Sequence, residues 1–314
     1  MLSIVCLTRG ESHLLKWIEY HLSFFESILP YEWELIVCCE KSLENLNINH
    51  KNLYFHPGMG GYHRTLNGFR KAQYDNILRI ADDDYITQFN PGSLIHLKND
   101  YVGVVANVSF SSLNTWSERR RDENLRKATS NDIIMDAENG DERLKSFFST
   151  PFPGDNSVYY GVYKKSVLIK CLEGFECFHD DHYVAADWVY MAQILSQGKV
   201  ARCHEWNIIR HMTHFSKTLS EKTRKIEYNH KQINILEVMP FLPALTFVRD
   251  CVCVDSKKIW RPLIEWNLIR YAQLSDNGHV KPNLQLDSLT IINIFQESRW
   301  KDKDTHPHLE VYVP

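Results

Sequence analysis

Between Asn76 and Tyr85 the chain reads NILRIADDDY, a mostly apolar run that passes directly into three consecutive aspartates, Asp82, Asp83 and Asp84. Such a run suits a buried strand, and a strand ending in clustered carboxylates needs solvent or a counter-charge at that end. A hard divalent cation such as Mg²⁺ or Mn²⁺, which prefers oxygen ligands, answers that need when it arrives with a diphosphate. A solvated turn answers it equally, so the triplet takes its meaning from its surroundings.

Those surroundings alternate strand with helix. LSIVCL at the amino terminus is compact and apolar, and Thr8-Arg9-Gly10-Glu11 breaks it. Leu14, Leu15, Trp17, Ile18, His21, Leu22 and Phe25 then recur at helical spacing, with Glu11 or Ser12 supplying acceptor chemistry for the helix start. Trp33 to Cys38 and Asn52 to Phe55 read as further strands. The turn Gly58-Met59-Gly60-Gly61 leads into a helix with Leu66, Phe69 and Ala72 on one face, and the fourth strand ends at the aspartates. Strands alternating with helices imply a mostly parallel central sheet flanked by helices, whose ligands sit at the carboxyl ends of the strands.

A nucleoside diphosphate at such an edge needs positive charge and exposed backbone donors. Arg9 and Arg64 supply the first, and Gly60 and Gly61 permit close backbone approach, although GMGG is neither a dinucleotide fingerprint nor a Walker loop.

In this order the segments TRGE, GGYHRTLNGFRKA and ADDDY resemble the GT-A glycosyltransferases, nucleotide-sugar-dependent enzymes with a Rossmann-like α/β fold. The resemblance covers Met1 to Lys217 and implies a catalytic domain over 1–217; outside it, helical periodicity in KIEYNHKQINILEVM and IWRPLIEWNLIRYAQL reads as a mainly helical appendage over 218–314. It places Thr8, Arg9, Glu11, Arg64, Asn67, Asp82 and Asp83 around the nucleotide-sugar, and Asp82 and Asp84 on Mn²⁺ or Mg²⁺ as an Asp-x-Asp motif. The triplet permits two registers of that motif.

Downstream, GDNSVYYGVYK (154–164) is similar to the acceptor-side strand of related transferases, and is otherwise a hairpin strand. DDHYVAADW (180–188) precedes an apolar helix that stops at Gly198, as a C-capping glycine should. In inverting members a similar segment carries the catalytic base. Here the usual Glu-Asp pair is replaced by Ala186-Asp187, which leaves Asp187 as the expected base for the acceptor hydroxyl. Lys199 to Cys203 reads as a last short strand. Beyond it His211 or His214 would complete the metal site, with His214 preferred, while Arg210 and Lys217 could instead grip the diphosphate.

Composition is compatible with all of this. The 314 residues, 44% hydrophobic, suffice for a large core. A net charge of −3 gives no whole-chain attraction to nucleic acid, and Arg119-Arg120-Arg121 lies among Glu118, Asp122 and Glu123 in a polar stretch, 114–141, that reads as a mobile loop or lid. The 8 cysteines, with Cys6, Cys38 and Cys39 in apparent core strands, read as buried thiols of a cytoplasmic protein. Cys171, Cys177, His179 and His182 fit no common zinc spacing. The first apolar run has no basic leader, so no signal peptide is expected. Leu236 to Val254 is broken by Pro240, Pro243, Arg249 and Asp250, too strongly for a membrane span but compatible with peripheral membrane contact.

The expected function is transfer of a sugar from a nucleoside-diphosphate donor, a UDP-sugar first, to a hydroxyl acceptor on a surface glycan, with a modified base in phage DNA as a minor alternative acceptor. Two rivals remain at this stage. A nucleotidyltransferase would use a metal on a related sheet but would show a glycine-rich basic loop after the first strand, of which TRGES is a poor version. A non-catalytic sugar- or nucleotide-binding protein on a transferase fold is favoured by Ala186.

Overall fold

The computed structural model describes residues 1–8, 13–39, 46, 48–57, 61–111, 126–127, 133–149, 156–173 and 186–211. The expected helical appendage over 218–314, the Leu236–Val254 run and most of the polar stretch lie outside these residues.

The expected βα units are present. β1 (Leu2–Thr8), α1 (Leu14–Ile28), β2 (Trp33–Cys39), β3 (Leu53–Pro57), α2 (Gly61–Lys71) and β4 (Asn76–Ala81) follow one another. They form a parallel array in the order β3-β2-β1-β4. Leu2, Ile4 and Cys6 of β1, with Leu35, Val37, Leu78 and Ile80, meet Leu14, Trp17, Ile18, Leu22 and Phe25 of α1 on one face of the sheet. The alternate residues face α2. A Cβ at Gly68 would lie 2.6 Å from the Cys38 sulfur and 3.0 Å from Val5, so only glycine lets α2 pack this closely.

The second half departs from a mostly parallel plan. β5 (Tyr85–Gln88), β6 (Tyr101–Ser111), β7 (Arg126–Lys127), β8 (Gly161–Lys164) and β9 (Lys199–His211) complete a nine-stranded sheet in the order β3-β2-β1-β4-β8-β6-β9-β5, with β7 beside β6. β6 and β9 are parallel, but β8 runs antiparallel to both β4 and β6, β5 runs antiparallel to β9, and β7 to β6. The sheet is therefore mixed. Its middle is closed by Tyr163, whose ring crosses Gly103 on the neighbouring strand, where a Cβ would sit 2.1 Å from it. The expected short strand Lys199–Cys203 continues through Trp206 to His211 as a single β9, with register shifts against β6. α3 (Gly140–Ser149) and α4 (Lys165–Glu173) both pack on α5 (Ala186–Gln197), and α4 packs on α2.

The three aspartates carry the chain from β4 to β5, which are four places apart in the sheet. Four residue steps reach at most ~14 Å, whereas four strand spacings in a flat sheet take ~19 Å. The sheet must curl to let Asp82–Asp84 bridge it. Curling brings the carboxyl ends of β4, β6 and β9 around one edge, shared with β1.

Candidate functional site

That edge gathers Thr8 at the end of β1, the Asp82–Asp84 turn after β4, Ser111 at the end of β6 and Arg210 near the end of β9. Its carboxylates are recessed: Asp82 is 8% and Asp84 2% exposed, while Asp83 is more open. The Thr8 hydroxyl donates to Asp82 Oδ2. Arg210 Nε stands 3.9 Å from Asp84 Oδ1, and the Arg210 guanidinium lies 5.0 Å from the centre of the Tyr160 ring. Burial, with the Asp82 charge beside it, pushes the Cys6 thiol well above its ordinary range, so Cys6 is a neutral floor to the site.

The backbone of the turn is clamped by α1. The His13 ring meets Asp82 O through Nε2 at 2.9 Å, and Trp17 Nε1 donates to Asp84 O at 2.6 Å. One turn further, the Tyr20 hydroxyl donates to Ile86 O at 2.7 Å and His21 Nε2 accepts from Ile86 N at 3.4 Å. Residues at i, i+4, i+7 and i+8 share one helix face, so a single face of α1 holds residues 82 to 86. This explains a departure at the helix start: the N-cap is His13, with no side-chain capping bond, because its ring turns to the aspartate turn instead.

Arg64, buried on α2, donates through a terminal nitrogen to Thr8 O at 3.2 Å, which braces the carboxyl end of β1. Asn67, three residues on, is exposed. Thr8, Arg64, Asp82, Asp83 and Asp84 are thus brought to one edge. Asp187 lies in the first turn of α5, and its side chain is outside the described part. Arg9, Glu11 and His214 lie outside the described residues, as do Cys177, His179 and His182. Cys171 of that last cluster is buried and takes a bond from Gln197 Nε2 at 2.9 Å. It is one of five free, buried cysteines among the described residues, as the sequence suggested.

His13 and Trp17 are the residues that sequence reasoning missed here. Trp17 reads simply as core, and nothing in periodicity shows that its indole nitrogen reaches a loop carbonyl. His13 follows the TRGES break with no spacing signal of its own.

Among the described residues no group of three or more His, Cys, Asp or Glu is disposed to hold a metal. Among the described residues the donor set therefore does not make an all-protein cage. It fits the habit of Mg²⁺-like ions, which take one or two carboxylates and complete their shell with phosphate oxygens and water. No helix among the described residues is long and apolar enough to cross a membrane.

No protein-family model matches the chain, and no curated protein matches it. Among solved structures, S. aureus TarS 1-349 in complex with UDP-GlcNAc aligns with 91% of this chain and 76% of its own, at a TM-score of 0.54 and 11% identity. The longer S. aureus TarS structure aligns with 88% of this chain at a TM-score of 0.44 and 12% identity, and this chain covers only 53% of it. The bifunctional IspDF from Campylobacter jejuni aligns with 65% of this chain and 49% of its own, at a TM-score of 0.36 and 12% identity. At these scores only the first carries weight, and it carries it for the fold: a Rossmann-like α/β architecture shared with a protein crystallised with UDP-GlcNAc.

Proposed function

We propose that the chain is a glycosyltransferase that moves a sugar from a nucleoside-diphosphate donor, most simply a UDP-sugar, to a hydroxyl acceptor such as a surface glycan. The observation that carries this reading is the recessed Asp82–Asp84 turn at the carboxyl edge of β1 and β4, on a fold whose likeness in TarS was crystallised with UDP-GlcNAc. A sheet of this kind binds its ligands at that edge.

Asp82 and Asp84 would hold Mn²⁺ or Mg²⁺, with Asp83 toward the donor and His214 as the further ligand. When bound, the cation would offset the charge that develops on the leaving diphosphate. Thr8 keeps the Asp82 carboxyl oriented, and the α1 clamp keeps both aspartates in place without reorganisation when the donor arrives. Arg64 holds Thr8 O at the end of β1 and adds positive charge there, and Arg9 and Glu11 would meet the nucleotide. Asn67 would contact the donor side from the open face of α2. Asp187, at the start of α5, would take the proton from the acceptor hydroxyl as it attacks.

The test is a melting-temperature panel of UDP, GDP, CMP and dTDP, each with and without Mn²⁺, on the wild type, Asp82→Asn and Asp84→Asn. We expect UDP with Mn²⁺ at a hundredfold excess over Kd to raise the wild-type Tm by about 5–10 °C, and neither variant to respond. A wild type unmoved by every nucleotide would remove the transferase reading.

A further inference from the structure

We infer that Arg79 is a positioning residue. Held against Tyr159 and Tyr190, it sets α5, and with it Asp187, in register with the aspartate turn. The inference rests on the reading of Asp187 as the base and adds what places it.

Arg79 is buried on β4, three residues before Asp82 and opposite Val5 of β1. A guanidinium taken out of water is costly unless its charge and its donors are answered. Two tyrosines contribute to that. The guanidinium carbon stands 3.9 Å from the centre of the Tyr159 ring and 4.6 Å from that of Tyr190, and a terminal nitrogen donates to the Tyr159 hydroxyl. The two rings are 5.8 Å apart at 68°, so one flat cation meets both. Such contacts are stronger away from water than at an exposed surface.

The two tyrosines belong to different elements. Tyr159 ends the short turn Asn156–Tyr159 that leads into β8, and Tyr190 lies on α5, three residues after Asp187. Three residues are less than one helical turn, so fixing Tyr190 fixes the backbone at Asp187. The far end of α5 has its own contacts. Arg143 of α3 donates through Nε to Leu195 O at 2.6 Å, and Gln197 Nε2 donates to the Cys171 sulfur of α4 at 2.9 Å. Those bonds locate the carboxyl end of the helix, while Tyr190 meets Arg79 nearer the end that carries Asp187.

The strand that carries Arg79 runs straight into the aspartate turn, so β4 is the common reference for the metal carboxylates and for the base. The turn before β8 joins the same assembly. Tyr160, next in the chain, has its ring 5.0 Å from that of Tyr159 and 5.0 Å from the Arg210 guanidinium, which stands beside Asp84. Transfer needs donor and base at a fixed separation, and a misplacement of about 1 Å can cost about a hundredfold in rate. Arg79 therefore acts on the chemical step through Asp187, and donor binding does not require it.

The test uses the full chain as wild type, Arg79→Met, Arg79→Lys, Asp187→Asn and the double variant Arg79→Met/Asp187→Asn, with Tm as the check of folding. UDP binding in Mn²⁺ is measured by calorimetry, and release of UDP from UDP-GlcNAc, UDP-glucose and UDP-galactose into water gives kcat. In that reaction water attacks the anomeric carbon, the bond to the diphosphate oxygen breaks, and Asp187 takes a proton from the water. Arg79→Met is expected to keep the Kd of UDP within about twofold and to lose about a hundredfold in kcat. Arg79→Lys, which keeps the charge without the flat contact, should lose about tenfold, and it carries the comparison if the methionine variant does not fold. The double variant should be no slower than Asp187→Asn, because a positioning residue then has nothing left to position. Amide exchange gives a second readout: Arg79→Met should exchange about tenfold faster over 190–197 and at the wild-type rate over 82–86.

An unchanged kcat, a loss of UDP affinity alongside kcat, or a double variant slowed by the full loss of Arg79→Met overturns the inference. Unchanged exchange over 190–197 overturns it too, and this readout decides if the wild type binds UDP but splits none of the three sugars from it. An Asp187→Asn enzyme as fast as the wild type removes the base and this inference together but leaves the transferase reading. A wild type that binds no nucleotide removes that reading as well.

Discussion

The two halves of the sheet follow different rules. In β1 and β2 almost every residue is buried, on both faces, as befits parallel strands sandwiched between helices. β6 and β9 are longer, and their pairing slips register at two places. Register shifts bend a strand and re-aim its side chains. The first half thus fixes Thr8 and the aspartate turn, and the bent strands of the second present Arg210 to them.

The sharpest way to break this comparison uses two buried indoles. Trp17 on α1 donates to Asp84 O at 2.6 Å, and Trp206 on β9 donates to Asn90 O at 2.9 Å while stacking on Phe89. Either one replaced by alanine should cost about 3–5 kcal/mol in urea unfolding. They should differ in ligand response: Trp17→Ala loses the Mn²⁺-dependent UDP shift in Tm, and Trp206→Ala keeps it. Loss in both would mean that the halves act as one unit.

The same division explains what was legible in the sequence. β1, α1, β2, α2 and β4 could be read because each strand is a continuous apolar run and each helix has one apolar face, so local pattern and burial agree. The second half could not be read as well. Its strands pair out of chain order, and β8 lies on β6 through Tyr163 meeting Gly103, a contact between residues sixty apart in the chain. At the site, Thr8 and the aspartates were legible because residue type and strand end coincide, and Arg64 because it follows a glycine turn into a helix. His13 was not, since its role lies in where a ring points, and that depends on the curl of the whole sheet.

A smaller effect sharpens the link between the halves. His21 of α1 is fully buried, with its ring 4.0 Å from that of Trp17, its Nδ1 bonded to Trp17 O at 2.9 Å, and its Nε2 accepting from Ile86 N in β5. Burial lowers its pKa from 6.5 to about 3. The folded protein keeps this ring neutral where the unfolded chain takes up a proton. Its contribution is intact above pH 6.5 and declines as pH falls toward 3, by ~1.4 kcal/mol per unit and ~2 kcal/mol at pH 5. His21→Gln should flatten the dependence of urea stability on pH in that window by this slope. An unchanged slope would show that the ring is not held neutral between the halves.

The smallest effect tests whether surface charge joins the halves at all. Arg70 of α2 and Glu173 of α4 meet at 2.9 Å, with side chains 47% and 48% exposed. An ion pair so open to water contributes ~0.5 kcal/mol at most conditions of interest, and ~1 M salt, with a Debye length of about 3 Å, should erase it. Arg70→Gln is therefore expected to lower the urea midpoint barely at low salt and not at all at high salt. α2 already closes on the frame through Gly68, against Cys38 and Val5. A loss above ~1.5 kcal/mol, persisting in salt, would mean that the α2–α4 contact needs this pair to hold, and that packing at Gly68 is not what seats α2.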